Sequence, residues 1–405
     1  VSEKEKVPYE KIKVLHIITV FSIGGATENT LFSVEGLNTL GYDVSILTGP
    51  NISTEGDLFQ RAKANNVKVE ILECLQRNIS PLNDLKAFYC IYKKLKSGNY
   101  DIVHTHSSKA GIIGRIAAKA AKVPVIIHTI HGLPFHNYQS KFIHYLYVKA
   151  ERIGATLSDK LITVSNLIIS KALNEKVGTA DKFVTVRSGF EMEEFIKAPV
   201  NSAKLKEKLN LSDNNIVIGK IARFSRLKGH QYILKVIPDV IKEVPNAIFL
   251  FVGSGELLGE YEKKVKELGI EKNVRFAGLV KNEDIPEYIK IIDIVVHTSL
   301  LEGLARIFPQ SMAAQKPVVS FNIDGAPEVI IDGETGFLVD PEDCYGLTQK
   351  IIKLAKDKEM RERFGKKGKE IVMSEWNIES MVKGIDKVYK ELIKRNLKEN
   401  NKLSS

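Results

Sequence analysis

Residues Ser299 to Asp340 read SLLEGLARIFPQSMAAQKPVVSFNIDGAPEVIIDGETGFLVD. The pattern predicts the end of a strand, a loop carrying Glu302, and a helix. A short apolar strand at Pro317–Phe321 follows, then the loop Asp324-Gly325-Ala326 and another helix. Two loop-to-helix junctions thus fall within one stretch. Each leaves backbone N–H groups unpaired and carries a partial positive charge, the local setting that binds an anionic phosphate. Glu302 stands at the mouth of the first. An acid beside an anion site is repelled unless it serves another group, and a carboxylate can accept two hydrogen bonds from neighbouring sugar hydroxyls.

The same alternation extends through the chain. Upstream, apolar strands are predicted at Val217–Ala222, Ala247–Val252, Val274–Phe276 and Ile294–His297. The N-terminal half has its own series at Lys13–Val20, Asp43–Leu47, Val67–Ile71, Asp101–Thr105, Val125–Ile130, Lys160–Val164 and Phe183–Val186. Helical stretches near Asp57–Ala64, Leu82–Leu95, Lys109–Ala121, Lys141–Leu157 and Asn166–Leu173 separate them. Such strands, alternating with helices, imply an α/β class with parallel sheets covered on both faces. Arg187–Asn215 is strand-poor and polar and holds Pro199, so it is read as a linker. Two doubly wound, Rossmann-like domains follow, residues 1–195 and 196–375, expected to face each other across a cleft. Residues 376–405 carry a last amphipathic helix, Ile378–Arg395, and a frayed end.

Bulk properties narrow the function. The 405 residues, 44% hydrophobic and 27% charged, suit a soluble globular protein of two domains. No apolar run reaches the roughly 18–20 residues of a spanning helix. The opening VSEKEKVPYEKIK lacks the apolar core of a signal peptide, so a cytoplasmic location is the default expectation. Cys74, Cys90 and Cys344 have no metal or redox spacing. The net charge of +10 invites an anionic partner. Nucleic acid has no zinc pattern, ribonucleoprotein signature or basic–aromatic platform to support it. An anionic membrane face is a second candidate, through the basic amphipathic segment Leu82–Lys96 (LNDLKAFYCIYKKLK). A lysine-rich solvated surface is the plain alternative.

Ligands on parallel sheets sit at the carboxyl ends of the strands. KVLHIITV leads into Gly24-Gly25 and a helix, a layout that lets backbone approach a phosphate, though a tight turn alone would also need glycine. His131, before Gly132, also falls at a strand end. It can donate to a sugar hydroxyl or simply pair with a loop backbone. His104 and His128 lie inside strand patterns and are read as structural; His106 stays undecided. In IARFSRLKGHQYIL, Arg223 and Lys228 follow a strand and precede a helix. A guanidinium fork and an ammonium there suit a diphosphate.

Taken together, GGATENT, HTHSSKAGIIGRIAAKAAKVPVIIHTIHGLPFH, RFSRLKG, SLLEGLARIFPQSMAAQKPVV and DGAPEVIIDGETGFLV resemble the retaining glycosyltransferases of family 4, which have the two-domain GT-B fold. The resemblance runs in order over nearly the whole chain. It implies that Arg223 and Lys228 neutralise the diphosphate of a nucleotide-sugar donor, a UDP-sugar. Glu302 would hold the hydroxyls of the transferred sugar, and the backbone at Gly303, Leu304, Ala305 and Gly325 would complete that pocket. Gly24 and Gly25 would close over the diphosphate, His131 would lie near the reacting face, and Gly253, Gly278 and Val280 would lodge the base. The last helix would cross back to the first domain. No metal or other cofactor is implied, and no DxD stands at a strand end. The acceptor would be lipid-linked or a glycan, in cell-surface polysaccharide or glycolipid synthesis, with possible docking on the inner face of the membrane.

One position departs from the family. Eight residues after Glu302 a second glutamate is expected to grip the ribose, and this chain has Gln310. Its amide can still accept one hydrogen bond and donate another, without charge assistance. Two rivals stay open: a UDP-sugar epimerase, which needs no acceptor, and a non-enzymatic sugar-nucleotide binder, which would lose affinity but no turnover with Glu302→Ala.

Overall fold

The computed structural model describes residues 11–50, 56, 58–198 and 203–403. The N-terminal run 1–10, residues 51–55 and 57, residues 199–202, which include Pro199 of the predicted linker, and the last two residues lie outside them. The chain forms two compact units, Val1–Gly189 with Ile378–Ser405, and Phe190–Asn377.

The first unit holds seven parallel strands: β1 (Lys13–Ile18), β2 (Asp43–Thr48), β3 (Lys68–Ile71), β4 (Ile102–His106), β5 (Val125–Ile130), β6 (Lys160–Thr163) and β7 (Phe183–Thr185). Their order is β3-β2-β1-β4-β5-β6-β7. β4 and β5 are buried along their whole length, so both faces are covered by helices and every side chain is apolar or paired. The order reverses between β1 and β4, which opens a crevice beyond their carboxyl ends. There Thr19 and Ser107 share a 2.7 Å hydroxyl bond.

The second unit holds β8 (Ile216–Ile221), β9 (Ala247–Val252), β10 (Val274–Gly278), β11 (Ile294–His297), β12 (Val318–Phe321) and β13 (Gly336–Val339). Their order is β10-β9-β8-β11-β12-β13, again all parallel, with the switch between β8 and β11. β13 had no strand prediction, because GETGFLVD offers only four strand residues behind a turn.

Three details differ from the sequence expectations. The division between units falls at Gly189/Phe190, because Phe190, Met192 and Phe195 bury in the second unit's core. The predicted linker also carries two short helices, Glu193–Lys197 and Ala203–Lys208. The last helix runs to Leu403 rather than ending at Arg395. Asn396 bonds the Pro124 carbonyl at 2.7 Å, and Arg395 meets Asp159 at 3.2 Å, which hold that extension on the first unit. Met381, Val382, Ile385, Val388, Tyr389 and Leu392 form the buried stripe of this helix, at the three-to-four spacing of one helical face.

Candidate active site

In the second unit the site grows from the two strand ends at the switch. β8 runs into Ala222-Arg223-Phe224 and then a single 3-10 turn, Arg226–Lys228. Gly229 ends that turn at φ 69° and caps the helix His230–Glu243. A Cβ on Gly229 would stand 1.8 Å from the Thr298 carbonyl oxygen, so only glycine lets the two loops meet. Thr298 donates to the Gly229 carbonyl at 2.7 Å, and Leu300 N–H bonds the Leu227 carbonyl at 2.8 Å. The loop after β11 is thereby tied to the loop after β8.

That tie brings charges together. Lys228 Nζ donates to Glu302 Oε1 at 2.5 Å, and His297 Nε2 bonds the same oxygen at 3.2 Å. Asp324 Oδ2 accepts the backbone N–H of Glu302 at 2.6 Å. Burial of Glu302 favours the neutral acid, yet the His297 bond and the Lys228 ammonium prevail and hold the carboxyl well below its usual range. Burial lowers His297 to about 4, so it is neutral and donates its Nε2 proton. Beneath them the fully buried Lys220 bonds Thr298 Oγ1 at 3.2 Å, and burial followed by the charge of Lys228 lowers it to about 7.

Three further loops meet at this edge. Phe224 N–H bonds the Ser254 carbonyl at 2.9 Å, and Gly253 N–H bonds the Gly278 carbonyl at 2.9 Å. A Cβ on Gly253 would lie 2.2 Å from the Ala222 oxygen, which explains that glycine by close approach. Gly325 N–H bonds the Gly303 carbonyl at 3.2 Å.

In the first unit, a Cβ on Gly24 would meet no atom within 4 Å, so the start of the helix Gly25–Thr39 is open to approach. The half-buried His131 follows β5, and its Nε2 lies 3.1 Å from His106 Nδ1. Burial lowers His131 to about 4.

Two family models match in succession: glycosyltransferase family 4 over residues 23–194, and glycosyl transferases group 1 over residues 201–371. This chain belongs to glycosyltransferase family 4. It is 29% identical to the UDP-Gal:alpha-D-GlcNAc-diphosphoundecaprenol alpha-1,3-galactosyltransferase of Escherichia coli, over 95% of this chain and 97% of that one. It is 23% identical to the capsular polysaccharide biosynthesis glycosyltransferase CapM of Staphylococcus aureus, over 94% and 98%. Among solved structures, Anabaena HepE in complex with UDP superposes with a TM-score of 0.77 at 20% identity, covering 94% of this chain and all of that one. At that identity the likeness establishes the fold, GT-B.

Within this glycosyltransferase, Lys228 and Glu302 meet directly. Arg223 is exposed on the loop after β8, and Gln310 is buried on the helix Ile307–Ala313. The side chains of Val280 and Leu304 pack against the second unit's core, and Ala305 belongs to it. The two helices predicted at the phosphate junctions are short: Ile307–Ala313 has two turns and Ala326–Val329 one. Few aligned peptide dipoles stand behind either terminus, so side-chain cations carry more of the positive field than the sequence pattern suggested.

His297, Asp324 and Lys220 were missed. Lys220 lies inside an apolar strand run and His297 closes one, so both look structural by pattern. Asp324 stands in the predicted loop before the second helix, where its side chain has no sequence signal. Its φ of 46° is a glycine-like conformation that aspartate tolerates, and its carboxylate receives the Glu302 N–H.

Proposed function

We propose that this transferase moves a hexosyl or N-acetylhexosaminyl group from a UDP-sugar, with retention at the anomeric carbon, to a lipid-linked or glycan acceptor in cell-surface polysaccharide or glycolipid synthesis. One observation carries the donor half: the convergence of Lys228, His297 and Glu302 where the second sheet reverses order. Both contacts to Glu302 fall on Oε1, so Oε2 is the oxygen assigned to the sugar hydroxyls. Lys228, with Arg223, is assigned to the diphosphate. As the bond from the anomeric carbon to the phosphate oxygen breaks, its electron pair goes to the diphosphate, and these two cations stabilise that charge. The acceptor hydroxyl then bonds the anomeric carbon and gives its proton to the departing phosphate oxygen.

Gln310 is assigned to the ribose, the backbone of Gly253, Gly278 and Val280 to the base, and that of Gly303, Leu304, Ala305 and Gly325 to the sugar and phosphate. From the first unit, Gly24 and Gly25 are assigned to the diphosphate and His131 to the reacting sugar. No metal ion has a role in this scheme. UDP and a lipid-linked acceptor are supported by the E. coli relative, named for both, and by the UDP in HepE. Retention rests on the family resemblance.

The first unit also carries a face of exposed apolar residues. The helices Pro81–Gly98, Ser108–Ala121 and Lys141–Leu157 pack side by side in that order. Leu82, Leu85 and Tyr89 are exposed on the first, Ile116 on the second, and Phe142, Tyr145, Leu146 and Ile153 on the third. The apolar stripe predicted on Leu82–Lys96 is therefore split. Ala87, Ile91 and Leu95 pack inward, while Leu82, Leu85 and Tyr89 point out. Lys86, Lys93, Lys119, Lys149 and Arg152 accompany the outward residues, and we assign this face to the anionic inner membrane surface where a lipid-linked acceptor resides. Among the described residues, no helix is long and apolar enough to cross a membrane.

The test is a screen of nucleotide sugars with lipid-linked and glycan acceptors, read as released UDP and glycosylated product. UDP release in step with product is expected, and Glu302→Ala should lower turnover at least about a hundredfold. Sugar interconversion without acceptor would mean an epimerase, and donor binding with no turnover would mean a binding protein.

A further inference from the structure

Four histidines of the first unit are linked in series. His131 Nε2 lies 3.1 Å from His106 Nδ1, and His106 Nε2 lies 2.9 Å from His16 Nδ1. His16 Nε2 reaches the Tyr389 hydroxyl at 3.1 Å, and that hydroxyl reaches His104 Nδ1 at 2.7 Å. His104 Nε2 ends the series on Thr129 Oγ1 at 2.7 Å. His16, His104, His106 and Tyr389 are all at most 1% exposed. Tyr389 comes from the C-terminal helix, while the histidines come from β1, β4 and the end of β5.

We propose that Tyr389, His16 and His106 are positioning residues that fix which ring nitrogen of His131 carries the proton, by locking the tautomers of the whole series together. A neutral imidazole has one donor and one acceptor nitrogen, and the tyrosine hydroxyl has one proton to give. Five bonds in a row, with the tyrosine proton used in one of them, can therefore be made in only two ways. Either every histidine holds its proton on Nε2 and the tyrosine donates to His104, or every histidine holds it on Nδ1 and the tyrosine donates to His16. Any mixture leaves two hydrogens or two lone pairs facing each other, or leaves the Tyr389 proton without an acceptor, in a buried site, a costly arrangement. Burial lowers His16 to about 3 and holds His104 and His106 well below the usual histidine range, so the series stays neutral and the two-state rule applies. His131 Nδ1, the ring nitrogen outside the series, is thus a lone pair in one state and an N–H in the other. A sugar hydroxyl bound there, as the proposed function has it, would select one state along the series as far as Tyr389.

The inference rests on that functional reading only for its catalytic consequence. The tautomers can be read directly from two-bond 1H–15N correlation spectra of the full chain carrying 15N-labelled histidine, with signals assigned by single His→Asn variants. The expected result is one shared tautomer for His16, His104, His106 and His131. In Tyr389→Phe, the His131 tautomer should no longer follow that of His104. The same variant should lower kcat about threefold to tenfold with donor KM unchanged, the signature of a contact made in the transition state. If Tyr389→Phe does not fold, His106→Asn breaks the series one link nearer His131 and should detach its tautomer from that of His16. Mixed tautomers in the unaltered protein would overturn the proposal. So would a His131 tautomer that still follows His104 in Tyr389→Phe. The nitrogens of His16, His104 and His106 also lie within 4.8 Å of one another. One divalent metal per chain, lost in His106→Asn, would likewise overturn it. Full activity in His131→Ala with shared tautomers intact would instead sink the catalytic role of His131 and leave the coupled series standing.

Discussion

Lys228 and Glu302 are 74 positions apart in sequence, and their side chains meet at 2.5 Å. The pairing follows from topology, because β8 and β11 are neighbours in the sheet and their carboxyl ends open at the same edge. A carboxylate for hydroxyls and an ammonium for phosphate stand side by side, the pair of chemistries that a sugar diphosphate presents.

Removing the ammonium should be felt in stability as well as in turnover. Glu302 is held below its usual 4.5, so its interactions stabilise the fold above that pH and are lost as pH falls through the folded value. Lys228→Ala should cost about 1 kcal/mol at neutral pH. The deficit, followed by urea unfolding, should shrink on acidification below 4.5.

Lys220 predicts a slope of the same sign in a higher pH window. Its folded pKa near 7 lies below the ordinary 10.5, so the unfolded chain binds the extra proton between those values. Stability relative to Lys220→Met should rise with pH across that window, by at most about 1.4 kcal/mol per pH unit. A flat difference between pH 7 and 10 would mean that Lys220 is charged in the fold.

Gln310→Glu restores the carboxylate that the family resemblance leads one to expect. UDP affinity, measured by calorimetry, should be kept or tightened. A marked loss would mean that this side chain does not face the ribose.

Flotation with anionic vesicles tests the three-helix face. Binding should be lost at about 1 M salt, where the Debye length is about 3 Å. It should also fall in the double variant Phe142→Ser, Tyr145→Ser. Absent binding, or binding insensitive to both changes, would count against that surface.

Much of this was legible in the sequence, for identifiable reasons. Fully buried parallel strands announce themselves as apolar runs, and for Ala247–Val252 the bounds agree with the structure. Arg223, Lys228 and Glu302 stood out because polar residues at strand ends have no packing role to explain them. Lys220 was hidden because it interrupts an apolar strand by one residue, as an edge or snorkelling side chain also would, and His297 because it closes the predicted strand Ile294–His297 and reads as part of it. The histidine series was invisible because His16, His104, His106 and Tyr389 meet only when β1, β4 and the last helix pack together. The two apolar stripes of Leu82–Lys96 were not separable for a related reason, since periodicity alone cannot say which of them turns inward.

The most direct measurement is calorimetric titration of UDP into the unaltered protein and into Lys228→Ala and Arg223→Ala, paired with turnover of the same three proteins. Each substitution is expected to weaken UDP binding and to cut turnover at least about tenfold, roughly 1.4 kcal/mol or more. Unchanged affinity and unchanged turnover in both variants would contradict the diphosphate site at the ends of β8 and β11.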